Sequence, residues 1–262
     1  MIAMKLSLQD SARRALPLLD LTSLNETDTA ASIVRLCRRA SSPVGHVAAV
    51  CVWPRHVTVA RQGLDEAGLC GQVKVATVIN FPTGNDNPVP VLEELASALA
   101  SGADEIDLVF PYRALMAGDR RAGERLVARC RDALDGQCLK VILETGVLED
   151  ASLIRSAAEI AIEAGADFLK TSTGKVKVNA TLGAARIMLE AIRDSGQAVG
   201  FKAAGGIRTT GEAAAYMDLA TEIVGAAWLS PERFRFGASG LLDDLLRTLG
   251  EEAAPAAPGT GY

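Results

Sequence analysis

The chain has 262 residues, enough for one large domain or two small ones. With 49% hydrophobic and 23% charged residues it can bury a sizeable core, which excludes wholesale disorder. A net charge of −5, from 27 basic against 32 acidic residues, excludes a general nucleic-acid or anionic-membrane surface but leaves room for a local basic pocket.

The predicted elements alternate along the chain. Apolar runs rich in β-branched residues are followed by stretches with helical periodicity. The first run, 18–21, carries Asp20 and leads to Thr22; an amphipathic stretch follows at 27–39. Run 47–52 contains Cys51 and precedes a helix at 55–67 closed by Gly68. Run 73–79 stops at Asn80, the turn-forming GNDNP follows, and a helix at 91–101 ends at Gly102. Run 105–110 holds Asp107 and precedes a helix at 124–134. Run 139–144 holds Lys140 and Glu144, and its helix at 151–164 ends at Gly165. Run 167–171 holds Lys170, followed by a helix at 182–194 before Gly196. Run 199–202 ends on Lys202, with a helix at 210–219, and run 233–237 ends on Gly237, with a helix at 241–249. Successive runs begin about 30 residues apart, the length of a strand–loop–helix unit. Eight such units predict an α/β fold, a single-domain (β/α)8 TIM barrel over 1–250 with a short flexible Ala/Pro/Gly-rich tail at 251–262. An open doubly wound sheet is the alternative.

The five cysteines are odd in number and form no CxxC pair, so neither a disulfide framework nor a zinc site is expected. Reduced thiols fit a cytoplasmic protein. No signal peptide is read at the N-terminus, and no stretch approaches the ~18 apolar residues of a spanning helix. His46 and His56 have no ligand spacing, and Cys51 has no activating histidine nearby. No metal or cofactor is expected.

Parallel barrels place their working residues at the C-terminal ends of strands and in the loops that follow. There Lys140, Lys170 and Lys202 interrupt apolar runs, although lysine is rarely buried unless paired. A lysine beside a second cation, in a pocket that disfavours charge, offers a neutral amine that attacks a carbonyl. Lys170 and Lys202 lie on neighbouring strands and should face each other. Asp107 and Asp20 would offset the buried charge and transfer protons. A purely structural salt-bridge network is the competing explanation. The loops after the last two strands, KAAGGIRT and RFGASG, suit a phosphate: Gly205, Gly206, Gly237 and Ser239 bring backbone N–H groups and a helix start to the anion, with Arg208 or Lys175 adding charge.

The segments LLDLTSLN, NFPTGN, GADEIDLVFPYRALMAG, ILETG, GADFLKTSTGK, GFKAAGGIRT and RFGASGLL, spread over residues 18–242, resemble the signature stretches of the deoxyribose-phosphate aldolase family. The resemblance implies a Schiff-base lysine at Lys170, proton transfer by Asp107 and Lys202, and substrate contacts from Asp20, Thr22, Lys140, Thr173, Gly174 and Lys175 besides the phosphate loops. It implies reversible cleavage of 2-deoxy-D-ribose 5-phosphate to D-glyceraldehyde 3-phosphate and acetaldehyde, in deoxyribonucleoside catabolism. The partners would be these sugar-phosphate and aldehyde substrates and further copies of the chain in a homo-oligomer. Several members end in a tyrosine that transfers a proton at the enamine carbon, which makes Tyr262 the last candidate. Ala203 stands where members often have proline, and Gly240 where many have a second serine. Another Schiff-base barrel, such as a transaldolase or ketose-bisphosphate aldolase, and a non-catalytic sugar-phosphate binder are the alternative functions.

Overall fold

Each of the eight apolar runs becomes a strand, because β-branched and aromatic side chains suit the pleated surface of a sheet covered by helices. The computed structural model describes residues 7–251. Its strands are β1 (Leu19–Ser23), β2 (Ala49–Val52), β3 (Lys74–Ile79), β4 (Glu105–Val109), β5 (Cys138–Ile142), β6 (Phe168–Lys170), β7 (Gly200–Ala204) and β8 (Phe234–Ala238). Each pairs in parallel with the next, and β8 pairs with β1, so the sheet is a closed barrel. The open doubly wound alternative is thereby excluded.

Helices return the chain between successive strands, and their ends are chemically specified. Thr29 with Ser32 and Thr209 with Glu212 form capping boxes at the helices Ala30–Arg39 and Thr210–Val224. Asp119 caps Arg120–Asp132 by accepting from Ala122 N, which starts this helix four residues before the expected position. Gly68, Gly102, Gly165 and Gly196 all have positive φ, as expected of helix-terminating residues. Three short helices were not expected: Leu8–Ala15, Tyr112–Met116 and Thr145–Leu148. Their length, eight residues or fewer, gives too little periodicity to read.

Strand alternation divides the side chains into two populations. Outward residues such as Leu21, Val50, Ile106, Val141, Leu169 and Phe236 join the helices in one apolar core. On β2 and β3 the inward residues Ala49, Cys51, Ala76 and Val78 form a separate small apolar cluster with Leu24. The remaining strands send charges inward. No helix among the described residues is long and apolar enough to cross a membrane.

Candidate active site

Residues two apart on a strand share a face, so Glu105 and Asp107 on β4 both enter the barrel. They meet Lys140 from β5, Lys170 from β6, Lys202 from β7, Arg235 from β8 and Asp20 from β1. None of the seven is more than 6% exposed. The closed sheet sets the register: Asp107 is the Cα partner of Lys140, and Lys170 of Lys202.

The cluster has a floor and a rim. At the floor, Arg235 bridges Asp20 Oδ1 at 2.5 Å and Glu105 Oε1 at 2.9 Å. Lys140 Nζ lies 2.7 Å from Glu105 Oε2, 2.9 Å from Asp107 Oδ1 and 3.8 Å from Asp20 Oδ2. At the rim, one oxygen, Asp107 Oδ2, accepts from both Lys170 Nζ at 2.7 Å and Lys202 Nζ at 2.8 Å. Lys202 also donates to Asp20 Oδ2 at 2.5 Å. Lys202 can lie across β8 because Gly237 has no side chain; a Cβ there would stand 3.0 Å from Lys202 Cε.

Burial alone would raise the carboxylate pKa values, but the cations outweigh it. Asp20 is held below the usual carboxylate range by Lys202, Arg235 and Lys140, and Asp107 well below it by Lys140, Lys170 and Lys202. For Lys140, burial opposes the charge, yet Asp107, Glu105 and Asp20 raise its pKa well above the ordinary lysine value. Burial, then the Asp107 charge, pushes the Cys51 thiol up, so it remains a protonated packing group. Within ion-pair distance, Lys140, Lys170, Lys202 and Arg235 share three carboxylates, Asp20, Glu105 and Asp107; Glu144, whose carboxyl also feels the Lys170 charge, is bonded to Thr173 instead. Lys140 touches three carboxylates, Lys202 and Arg235 two each, and Lys170 one.

The expected substrate residues fall into two groups. Lys140 and Asp20, expected at the substrate, point into the barrel, where each is ion-paired within the cluster. Gly237 likewise underlies Lys202. Thr22 is buried and donates to Asp20 O at 2.8 Å. The other group lies on loops at the open end. Thr173 is held by Glu144, Gly174 has φ +80, and Lys175 Nζ reaches Leu24 O at 2.7 Å. Gly205 N donates to Gly237 O at 3.3 Å, which joins the two loops read as a phosphate site. Asp244 reinforces the join by accepting from Thr210 N and Oγ1 at 2.7 and 2.9 Å. Gly206 and Arg208 are exposed, and Ser239 is half-buried ahead of the helix Leu241–Thr248. A side chain at Gly205 would stand 2.8 Å from Asn179, so glycine is required there. Tyr262 lies outside the described residues.

Sequence reasoning missed Glu105 and Arg235, although the signal was present: each sits two residues before a selected inward position. His56 Nε2 lies 3.1 Å from Asp28 O and His46 Nδ1 3.0 Å from Val47 O, both loop contacts remote from the cluster. No group of three or more His, Cys, Asp or Glu side chains is placed to hold a metal among the described residues.

A family profile described as DeoC/LacD family aldolase matches residues 14–246. Similar solved structures include a candidate deoxyribose-phosphate aldolase from Toxoplasma gondii ME49, 29% identical with a TM-score of 0.84, over 93% of this chain and 97% of that one. A candidate deoxyribose-phosphate aldolase from Coccidioides immitis is 30% identical with a TM-score of 0.78, over 91% of this chain and 86% of that one. The tetrameric deoxyribose phosphate aldolase of Aeropyrum pernix is 27% identical with a TM-score of 0.70, over 92% of each chain. A closed barrel with a lysine–carboxylate interior, matched by this profile over most of its length, makes the chain a member of the DeoC/LacD aldolase family.

Proposed function

We propose that the chain is a class I aldolase that reversibly cleaves 2-deoxy-D-ribose 5-phosphate to D-glyceraldehyde 3-phosphate and acetaldehyde through a Schiff base on Lys170. The observation that carries this is the uneven pairing of the buried lysines. Four cations share three carboxylates, and Lys170, at the rim, has a single carboxylate partner. Lys170 is therefore the amine that gives up the fewest ion pairs on leaving the cluster for a substrate carbonyl. A neutral amine is the nucleophile that imine formation requires.

In the cleavage direction, Lys170 Nζ attacks the C1 aldehyde of the open-chain sugar to form a carbinolamine. Its hydroxyl leaves as water after accepting a proton, and the protonated imine forms. The C2–C3 bond then breaks, with its electron pair drawn into the iminium as the C3 hydroxyl loses its proton. Glyceraldehyde 3-phosphate departs and leaves an enamine. Protonation at C2 restores an imine, and hydrolysis releases acetaldehyde and free Lys170. Asp107 and Lys202 adjoin the reacting nitrogen and are the proton carriers at the carbinolamine and hydroxyl stages, with Asp107 acting through a water. Asp20, Lys140, Glu105 and Arg235 hold these groups in place. Because the imine is the electron sink, no cofactor or metal is required, and turnover survives exhaustive chelation.

The substrate phosphate is placed at Gly205, Gly206 and Ser239, with Gly174, Lys175 and Arg208 at its border. The bond from Gly205 N to Gly237 O joins the two loops, which brings the backbone of Gly206 and Ser239 toward the anion, and the start of Leu241–Thr248 contributes its positive end. The reaction belongs to deoxyribonucleoside breakdown in the cytoplasm, where the free cysteines stay reduced, and the enzyme is assigned as a homo-oligomer, as the Aeropyrum pernix neighbour is a tetramer. Incubation with deoxyribose 5-phosphate should release acetaldehyde and glyceraldehyde 3-phosphate in equal amounts. Imine formation with a ketose donor and none with deoxyribose 5-phosphate would instead identify another Schiff-base aldolase. Ligand binding without turnover would identify a sugar-phosphate binder.

A further inference from the structure

Glu144 is a buried carboxylate that the imine chemistry does not use. It follows the end of β5 by two residues and adopts a left-handed backbone, φ +58 and ψ +55, which non-glycine residues adopt rarely and at a cost. The backbone on either side is tied to the residues around the proposed nucleophile. Leu143 N donates to Lys170 O, and Thr145 N to Thr171 O, each at 2.9 Å. Between these two bonds the left-handed turn carries the Glu144 side chain to the loop beyond β6.

Both of its oxygens go to one residue there. Oε1 accepts from Thr173 N at 3.1 Å and Oε2 from Thr173 Oγ1 at 2.5 Å. With its proton committed to Glu144, the Thr173 hydroxyl turns a lone pair outward, and Lys175 N donates to it at 3.1 Å. Lys175 Nζ then spans to Leu24 O beyond β1. One buried carboxylate thus orders the run from Thr173 to Lys175, including Gly174 at φ +80. Burial pushes its pKa up, against the Thr173 hydrogen bonds and the Lys170 and Arg113 charges, so those bonds are what the ionised form retains in place of water.

We infer that Glu144 is a positioning residue for the substrate's phosphate, acting through Thr173 to hold the 173–175 loop against the anion. This rests on the phosphate placement proposed above. It also implies that Thr173 contributes through the shape of the loop, since its hydroxyl proton already has an acceptor.

The test compares deoxyribose 5-phosphate with unphosphorylated deoxyribose in three single variants and one pair. Glu144→Asn keeps a residue type that tolerates left-handed backbone but is too short to make both bonds. It should raise KM for the phosphorylated sugar by roughly ten- to a hundredfold, the weight of one or two charge-assisted hydrogen bonds. Both constants for the unphosphorylated sugar should change by less than about threefold. Glu144→Gln has the original reach, with Oε1 accepting from Thr173 N and Nε2 donating to Thr173 Oγ1, and should stay within about threefold of wild type on both sugars. Thr173→Val should show the same selective KM increase without touching Glu144, which keeps the test open if Glu144→Asn does not fold. Adding Glu144→Asn to Thr173→Val should cost less than the sum of the two single losses, because both remove the bond between Oε2 and Oγ1 and the pair adds only the loss of the bond from the residue-173 backbone N. Equal losses on the two sugars, or additive losses in the pair, would overturn the inference while leaving the aldolase reading standing. A wild-type enzyme indifferent to the phosphate would overturn the phosphate placement before any variant is made.

Discussion

At the floor of the barrel, Lys140 is pinned by three carboxylates; at the rim, Lys170 rests against one. The residue type is the same, both are buried, and both interrupt apolar strands, yet the surroundings assign them opposite tasks. A lysine enclosed by acceptors is a fixed charge that neutralises Asp107, Glu105 and Asp20. In the proposed mechanism, the lysine with a single partner at the edge of the cluster is the one free to leave it for a substrate carbonyl. The difference teaches that burial alone does not tell these lysines apart; the number of partners around each amine does, and the proposed nucleophile is chosen on that ground.

The sharpest way to break the comparison is to remove each lysine in turn. Lys170→Met should abolish imine formation and turnover, yet leave three cations on three carboxylates and a stability within about 1 kcal/mol of wild type by urea unfolding. Lys140→Met leaves each carboxylate a cation but removes two short charge-assisted hydrogen bonds, to Glu105 and Asp107, so it should destabilise by about 3–5 kcal/mol. If the two variants lose similar stability, the floor and rim do not differ as described.

The same charges set a pH window. Asp20 and Asp107 have depressed folded-state values, so their stabilisation is fully present above the unfolded carboxylate pKa of about 3.9 and is lost as pH falls toward the folded values. Lys140 is raised, so its contribution is present below about 10.4 and is lost as pH rises through its folded value. These three groups therefore add little pH dependence across neutral pH, and stability should fall in acid, starting near pH 4. A loss of the wild-type stability between pH 6 and 8, roughly the titration range of histidine, would point to another group.

Much of this was legible because barrel geometry turns sequence position into direction. Regular spacing of apolar runs announced the barrel, and Asp107, Lys170 and Lys202 stood out as charges in strands that otherwise read as core. Alternation also holds the information that Glu105 and Arg235 point inward. They were missed because each lies near the beginning of its strand, away from the end where chemistry is expected. The division between Lys140 and Lys170 was illegible for a different reason: it depends on which carboxylate oxygens lie within 4 Å, a product of closure and side-chain reach. The contact of Glu144 with Thr173 depends on a left-handed residue that no sequence pattern demanded.

Smaller effects sharpen the picture of the open end. Ser239→Glu places a negative charge beside the proposed anion site and should raise KM for deoxyribose 5-phosphate at least about tenfold more than for deoxyribose. Equal changes would confine these loops to packing. Deleting Tyr262 should produce the smallest change: melting temperature and imine formation nearly unaltered, with slower exchange of the acetaldehyde methyl protons for solvent deuterium, as expected of a proton donor to the enamine carbon. Wild-type exchange in the truncated enzyme would remove Tyr262 from the mechanism.

Borohydride reduction in the presence of acetaldehyde or deoxyribose 5-phosphate, followed by peptide mass mapping, locates the imine directly. The expected product is a single reduced adduct on the peptide containing Lys170, absent from Lys170→Met. An adduct on Lys202 or Lys140 with Lys170 unmodified would contradict the assignment of the rim lysine as the nucleophile.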